Sequence, residues 1–274
     1  MSTVPRIECI RLNKVYLDTR GERVVAFKDV SFQIQPGEFV TVIGPSGCGK
    51  TSLLYMLAGF ESKTSGQMLV DGRPIEGPGA DRAVVFQEYA LFPWLNLRRN
   101  VEYGPRERGV SRDKMREAVD AMLVTVGLES AATRYPHELS AGMRQRAALA
   151  RVLVNEPKIL LMDEPFAALD AQTRLSLQRE LSRLSKEMNL TIMFITHSVE
   201  EAVLLGDRVV VMTARPGQIL ADVPIQFARP RDPTAHEFSD CRREIEALLK
   251  RASTLTADTL HHNFAAQVTG ASRE

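Results

Sequence analysis

Gly44, Gly47, Gly49, Lys50 and Thr51 stand at the spacing G-x-x-x-x-G-K-[ST], a pattern suited to holding a chain of phosphates. The glycines let successive backbone N–H groups turn toward one anion. A helix beginning where the loop ends adds unpaired donors and the positive end of its dipole. Gly44, Pro45, Ser46, Gly47, Cys48, Gly49, Lys50, Thr51 and Ser52 are therefore the candidate phosphate contacts. Lys50 is expected to reach the β- and γ-phosphates of a nucleoside triphosphate, and the Thr51 hydroxyl to ligate Mg²⁺. A second chemical signal is the pair Asp163-Glu164, which ends the apolar run Ile159-Leu160-Leu161-Met162. Asp163 suits the Mg²⁺ shell, and Glu164 is the natural general base to polarise the water that attacks a γ-phosphate. Alone, the pair reads as an acidic helix cap after a buried strand; beside the glycine loop it reads as chemistry.

The elements that must position these groups emerge from the hydrophobic pattern. Phe39 to Ile43 is an apolar run ahead of the loop, and Leu53 to Ala58 is helix-forming, so the order is strand, glycine loop, helix. Ile7 to Val15 and Val24 to Ile34 predict strands around a turn at Asp18–Glu22, and Met68-Leu69-Val70 and Ala83 to Phe86 predict two more. From about Tyr89 to Asn155 the pattern is mostly helical. Ser111 is placed to cap a helix carrying Met115, Val119, Met122, Leu123 and Val126, with Gly127 as its stop. Strand and helix then alternate through Thr191–Ile195 and Val209–Met212, and unbroken apolar strands linked by helices indicate a parallel sheet covered on both faces. The fold class expected is α/β: a P-loop core with a mostly parallel sheet, an N-terminal antiparallel β part and an inserted helical subdomain. After Arg215-Pro216-Gly217 the chain turns rich in Pro and charge. Ala235 to Arg251 predicts one amphipathic helix, and Ala252 to Glu274 predicts a mobile or peripheral tail.

The 274 residues, 44% hydrophobic and 25% charged, make an ordinary globular composition, and a formal net charge of +1 excludes nucleic acid held by bulk electrostatics. Cys9, Cys48 and Cys241 lack metal-ligand spacing, and an odd count with one thiol inside the phosphate loop points to a reducing compartment. No run approaches the ~20 apolar residues of a membrane span, so the expectation is a protein that neither crosses the bilayer nor is secreted.

Leu139-Ser140-Ala141-Gly142-Met143-Arg144-Gln145-Arg146 supplies the discriminating motif, because here the sequence resembles the ATP-binding-cassette (ABC) ATPases and their signature turn at a helix N-terminus. The resemblance covers Ile7 to about Leu220. It implies ATP and Mg²⁺ as ligands, and two copies paired head to tail. In that pairing, Ser140, Ala141, Gly142 and Met143 of one chain would meet the γ-phosphate held by the other's loop. A small hydroxyl residue at a helix start is a sound anion site in its own right. The chain departs from the common pattern at Ala141, in place of glycine, and at Met143, in place of glutamine. The methyl of Ala141 is expected to narrow the approach to phosphate and slow hydrolysis. The resemblance further implies Gln87 as the Q-loop glutamine sensing Mg²⁺ and water, Ala168-Leu169-Asp170 as the D-loop, His197 as the switch histidine and Tyr16 as the aromatic on adenine. Each has a simpler alternative: Gln87 a strand-end hydrogen bonder, His197 a helix cap, Tyr16 packing on a strand face.

One phosphate loop and one signature, with no long heptad run between Lys50 and Ser140, fit poorly with two-cassette or coiled-coil members of the superfamily. A lone cassette resembles the energy subunit of a bacterial importer, working with integral-membrane permease subunits and, indirectly, a solute-binding protein. That places it peripherally on the cytoplasmic side of the inner membrane. The aromatic run Phe92-Pro93-Trp94, Met143 and the segment Phe227 to Pro233 together resemble the nitrate, sulfonate and taurine branch. Phe92 and Trp94 are expected at the permease contact, with Trp94 as an internal anchor of the helical lobe as the alternative. The expected organisation is an ATPase domain over 1–225, its helical subdomain at about 89–155, and a C-terminal helical extension and tail over 226–274. A soluble P-loop ATPase or small-molecule kinase uncoupled from transport is the competing class.

Overall fold

The computed structural model describes residues 4–255. In chain order the elements are β1 (Ile7–Leu17), β2 (Arg23–Ile34), β3 (Phe39–Ile43), α1 (Lys50–Ala58), β4 (Ser65–Val70), β5 (Arg73–Pro74) and β6 (Arg82–Val85). Next come α2 (Leu97–Glu107), α3 (Arg112–Thr125), α4 (Ala141–Leu153), β7 (Ile159–Asp163) and α5 (Ala171–Glu187). The last are β8 (Thr191–Ile195), α6 (Val199–Leu205), β9 (Arg208–Met212), β10 (Ile219–Pro224) and α7 (His236–Thr254). The chain forms two compact units: Met1–Gly77 with Phe194–Glu274, and Pro78–Met193.

In the first unit, β1 and β2 make an antiparallel hairpin with Ile7 opposite Ile34 and Leu17 opposite Arg23. The Asp18 carboxylate closes its turn by accepting the N–H groups of Arg20 and Glu22, both at 2.8 Å. β4 and β5 complete a sheet ordered β2-β1-β4-β5. Burial in β2 alternates over much of its length, the period-2 mark of a sheet with one covered face. β3 differs: all five residues are buried. It runs parallel to β9, Val40 opposite Arg208 and Ile43 opposite Val211, and β10 lies antiparallel on the outer side of β9. The Pro- and charge-rich pattern after Gly217 gave no sign of β10. It is an edge strand ending in Pro224, a place where a missing N–H costs the ladder nothing.

Helices α6 and α7 cover this part of the sheet. Phe238, Ile245 and Ala252 recur every seven residues along α7 and are buried with Ile43, Val203, Val209 and Val211. The segment leading into α7 is clamped by Arg231. Its guanidinium donates to the α6-end carbonyls of Val203 and Gly206, both at 2.6 Å, and to Phe227 O at 3.0 Å. Burial, and secondarily the nearby Arg229 charge, bring its pKa down to about 10, so it stays a cation at neutral pH. The predicted helix over Ala235–Arg251 is thus present as α7, while most of the expected tail lies outside the described residues.

In the second unit, β6 and β7 pair in parallel, Arg82 opposite Ile159 and Val85 opposite Met162. The larger sheet is mostly parallel. Leu97, Val101, Val119, Leu123, Ala147, Ala150 and Val154 form the core of the helical segment, drawn from α2, α3 and α4. Ser111 does occupy the N-cap position of α3, yet its side chain makes no capping bond; the acidic Asp113 in the first turn favours the helix start instead. Among the described residues no helix is long and apolar enough to cross a membrane.

Phe238→Ala removes the largest buried side chain of α7. It should lower stability by about 3–5 kcal/mol, measured as a shift of the chemical denaturation midpoint at unchanged slope.

Candidate functional site

The phosphate loop belongs to the first unit and joins β3 to α1. Gly49 is the N-cap of α1 with φ 94°, and the first turn carries no acidic residue, so nothing there offsets the positive dipole end. Gly44, Cys48 and Lys50 are buried, whereas Ser46, Gly47 and Thr51 are exposed. Lys50 Nζ donates to the carbonyls of Gly44 at 2.8 Å and Pro45 at 3.0 Å, and lies 3.7 Å from Cys48 Sγ. The lysine is therefore folded back along its own loop. Burial pushes the Cys48 thiol up, only partly opposed by the Lys50 charge, which keeps it an unreactive packing group.

Tyr16 sits on β1 with its hydroxyl tied to the first turn of α1 and to the segment that follows that helix. The oxygen is 2.5 Å from Glu61 Oε2 and 2.8 Å from Ser52 Oγ. A phenol has one hydrogen, which goes to the carboxylate, leaving the Ser52 hydroxyl to donate to the Tyr16 oxygen. Lys14 Nζ completes the group, 3.2 Å from Glu61 and 4.6 Å from the Tyr16 ring centroid. Burial, with the Glu61 hydrogen bond next, raises the pKa of Tyr16. Two predicted contacts, Tyr16 and Ser52, are thus brought together, through a glutamate that motif reading did not pick out. His197 lies just past β8 and is exposed. The N-cap of α6 is Ser198, whose hydroxyl accepts the Glu201 N–H at 3.3 Å, so the capping alternative for His197 does not hold.

The second unit holds the remaining candidates. Asp163 is the last, buried residue of β7. Glu164 comes next with φ 44°, in the left-handed region that costs a non-glycine residue on the order of 1–2 kcal/mol. Backbone strain at a carboxylate is what a site that must aim an acid would retain. Gln87 lies two residues past the end of β6 and is exposed, not paired within the strand. Ser140 is the N-cap of α4, its hydroxyl accepting the Met143 N–H at 3.3 Å, with no acidic residue in the first turn. Ala141 and Met143 are half-buried there. Gly142 faces α5, where an added Cβ would lie 2.5 Å from Thr173 Cγ2. Asp170 caps α5, accepting the Thr173 N–H at 3.0 Å, and that bond holds its carboxyl below the usual range.

The loop after Gln87 is built around Asn100. This fully buried side chain accepts the Phe92 N–H at 2.8 Å and donates to the carbonyls of Leu95 at 2.9 Å, Asn96 at 3.1 Å and Phe92 at 3.2 Å. Phe92 packs 4.6 Å from the Tyr103 ring and under the Arg151 guanidinium at 5.3 Å. Trp94 is 70% exposed, which is incompatible with an internal anchor. No motif pointed to Asn100; its only sequence signal is a polar residue on the apolar face of α2.

Thr51 in the first unit carries a hydroxyl and Asp163 in the second a carboxylate, each of the hard oxygen type that Mg²⁺ prefers. In the first unit a loop of N–H donors, a lysine and an acid-free helix start form an anion-binding group; in the second a serine-capped, acid-free helix start and a strained glutamate supply donors and a carboxylate.

A family model described as ABC transporter matches residues 27–167, and the chain belongs to that family. It is an ATP-binding, ATP-hydrolysing subunit. The taurine import ATP-binding protein TauB of Roseobacter denitrificans is 49% identical over 208 residues, spanning 76% of this chain and 78% of that one. The nitrate import ATP-binding protein NrtD of Synechocystis sp. is 42% identical over 260 residues, 90% of this chain and 96% of the relative. Among solved structures, the dimeric post-hydrolysis state of the ATP-binding cassette MJ0796 bound to ADP and Pi is similar with a TM-score of 0.71. It is 28% identical and covers 81% of this chain and all of that one.

If Glu164 is strained as its φ indicates, Glu164→Gly should be more stable than Glu164→Ala by about 1 kcal/mol, although glycine elsewhere is the less stable of the two. Thermal denaturation of the two variants side by side makes the comparison; an alanine variant equal or better would remove the strain.

Proposed function

We propose that this chain is the energy-coupling ATPase of a membrane importer for a small anionic solute such as nitrate, a sulfonate or taurine. It works as a head-to-tail homodimer on permease subunits served by a solute-binding protein, at the cytoplasmic face of the inner membrane. The observation that carries the reading is the start of α4: a serine-capped, acid-free helix N-terminus, exposed, in a chain that already has a complete phosphate loop on α1. A kinase or solitary ATPase has no use for a second anion-directed helix start. A cassette that closes on nucleotide held by its partner needs one. The identities to import proteins of the taurine and nitrate systems support the solute class.

In this reading the ATPase domain is 1–225, with the helical subdomain at about 89–155 and the extension at 226–274. The loop Gly44 to Ser52 holds the phosphates, and Lys50 exchanges its bonds to the Gly44 and Pro45 carbonyls for phosphate oxygens. Thr51 and Asp163, together with Gln87, would hold Mg²⁺, which when bound would supply positive charge to neutralise the phosphates. Tyr16 offers its ring to adenine, its tilt set by Glu61 and Ser52. Ser140, Ala141, Gly142 and Met143 of the partner cap the γ-phosphate. Glu164 polarises the attacking water and His197 orients it. Nucleotide thereby joins the two subunits, and loss of the γ-phosphate contact releases them, biasing the permease between two states. Trp94, presented outward on the Asn100-held loop, contacts the permease.

Glu164→Gln should bind ATP with near-normal affinity, lose at least about a hundredfold in turnover and accumulate as a dimer with ATP in size-exclusion chromatography. Wild-type turnover would mean that the base is elsewhere. Trp94→Ala should leave nucleotide affinity intact and weaken co-purification with the permease subunits it serves, and unchanged assembly would move the docking site off this loop.

A further inference from the structure

We propose that Arg215 is a positioning residue for the phosphate loop, bracing it from the side opposite the phosphates; the inference rests on that loop being the nucleotide seat. Arg215 lies 165 residues beyond Lys50 in a turn between β9 and β10, and its Nε donates to Gly47 O at 3.1 Å. A Cβ built on Gly47 would sit 3.0 Å from Arg215 Nη2, so the guanidinium covers this face of the loop. The same turn presses its backbone on the next residue, since a Cβ at Gly217 would fall 2.1 Å from Cys48 O.

The geometry gives this contact a specific effect. In a trans peptide the C=O of one residue and the N–H of the next point in opposite directions. Holding the Gly47 carbonyl outward therefore fixes the plane of the Gly47–Cys48 peptide, whose N–H donates to Pro45 O across the loop at 3.3 Å. Gly47 has φ 76°, and a glycine can rotate the adjoining peptide plane at little cost, which would turn a carbonyl toward the phosphates. Arg215 opposes that rotation by giving the carbonyl a cationic donor on the outside.

A brace must itself be fixed, and this turn is fixed on three sides. Thr213 N–H bonds Gln218 O at 2.9 Å, and Gln218 N–H bonds Thr213 Oγ1 at 2.9 Å. Gly217 N–H bonds Ala26 O of β2, and Lys28 N–H bonds Gly217 O, both at 2.9 Å. Ala214 N–H bonds Ala252 O near the end of α7, also at 2.9 Å. The C-terminal helix thus supports the arginine that supports the loop.

The test is nucleotide affinity of the full-length chain, measured with a fluorescent ATP analogue and Mg²⁺, together with ATPase kinetics and melting temperature. Arg215→Ala should weaken binding about threefold to tenfold, the worth of one charge-assisted hydrogen bond to an exposed partner. KM should rise accordingly while kcat at saturation falls less than twofold, and the melting temperature should hold. Arg215→Lys, which keeps a donor, should recover most of the loss, and the loss should persist when salt is raised from roughly 0.1 M to 1 M. Wild-type affinity in Arg215→Ala overturns the brace, as does a loss that disappears at high salt, which would mark a distant charge effect. A lowered melting temperature with affinity unchanged would show a merely structural side chain. Lys50→Ala separates the two levels: wild-type binding in that variant would overturn the nucleotide seat itself, whereas loss there with none in Arg215→Ala overturns the brace alone.

Discussion

Backbone N–H groups have no rotamers, so a site made from them points only where its peptide planes are held. Everything in this protein that could touch phosphate depends on that restriction. β3, β7 and β8 are each five residues long and buried at every position, and each runs directly into a chemical group: the glycine loop, Asp163 with Glu164, and Thr196 with His197. Complete burial leaves such a strand no freedom to shift its register, because a one-residue slip would turn every side chain over. The group at the strand's end therefore starts from a defined place.

The helix starts then divide by charge. α1, α2, α4 and α5 all open with no acid in the first turn; α2 is capped by the Asn96 amide and α5 by the Asp170 carboxylate, whereas α1 and α4 start at Gly49 and Ser140 and offer an anion unpaired donors and a positive dipole end. α6 opens with Glu200 and Glu201, and Glu201 receives the Thr196 hydroxyl at 2.5 Å, while the Ser198 N–H bonds the Thr196 oxygen at 3.0 Å. That start is satisfied internally by carboxylate and hydroxyl, and its evident use is to fix the turn that displays His197. The same element serves binding in two places and orientation in the third.

Much of this was legible in the residue order. The glycine loop, the carboxylate pair and the serine-capped signature are local patterns, each within ten residues, and their flanking strands and helices fell where hydrophobic period placed them. β10 was not legible because its proline and charges mask an edge strand that needs only one ladder partner. Glu61 and Arg215 were not legible either, since each acts on a residue 45 or more positions away, Tyr16 and Gly47 respectively. Such pairings are made by the fold, and no spacing rule contains them. The strain at Glu164 belongs to the same group, being a property of a backbone angle and not of a residue type.

The loop around Asn100 separates form from address. Four hydrogen bonds to one interior amide fix its path, and none involves the Trp94 side chain, which stands mostly in solvent. A change of side chain at position 94 would therefore alter what this loop presents to its surroundings without breaking any of the bonds that set its path.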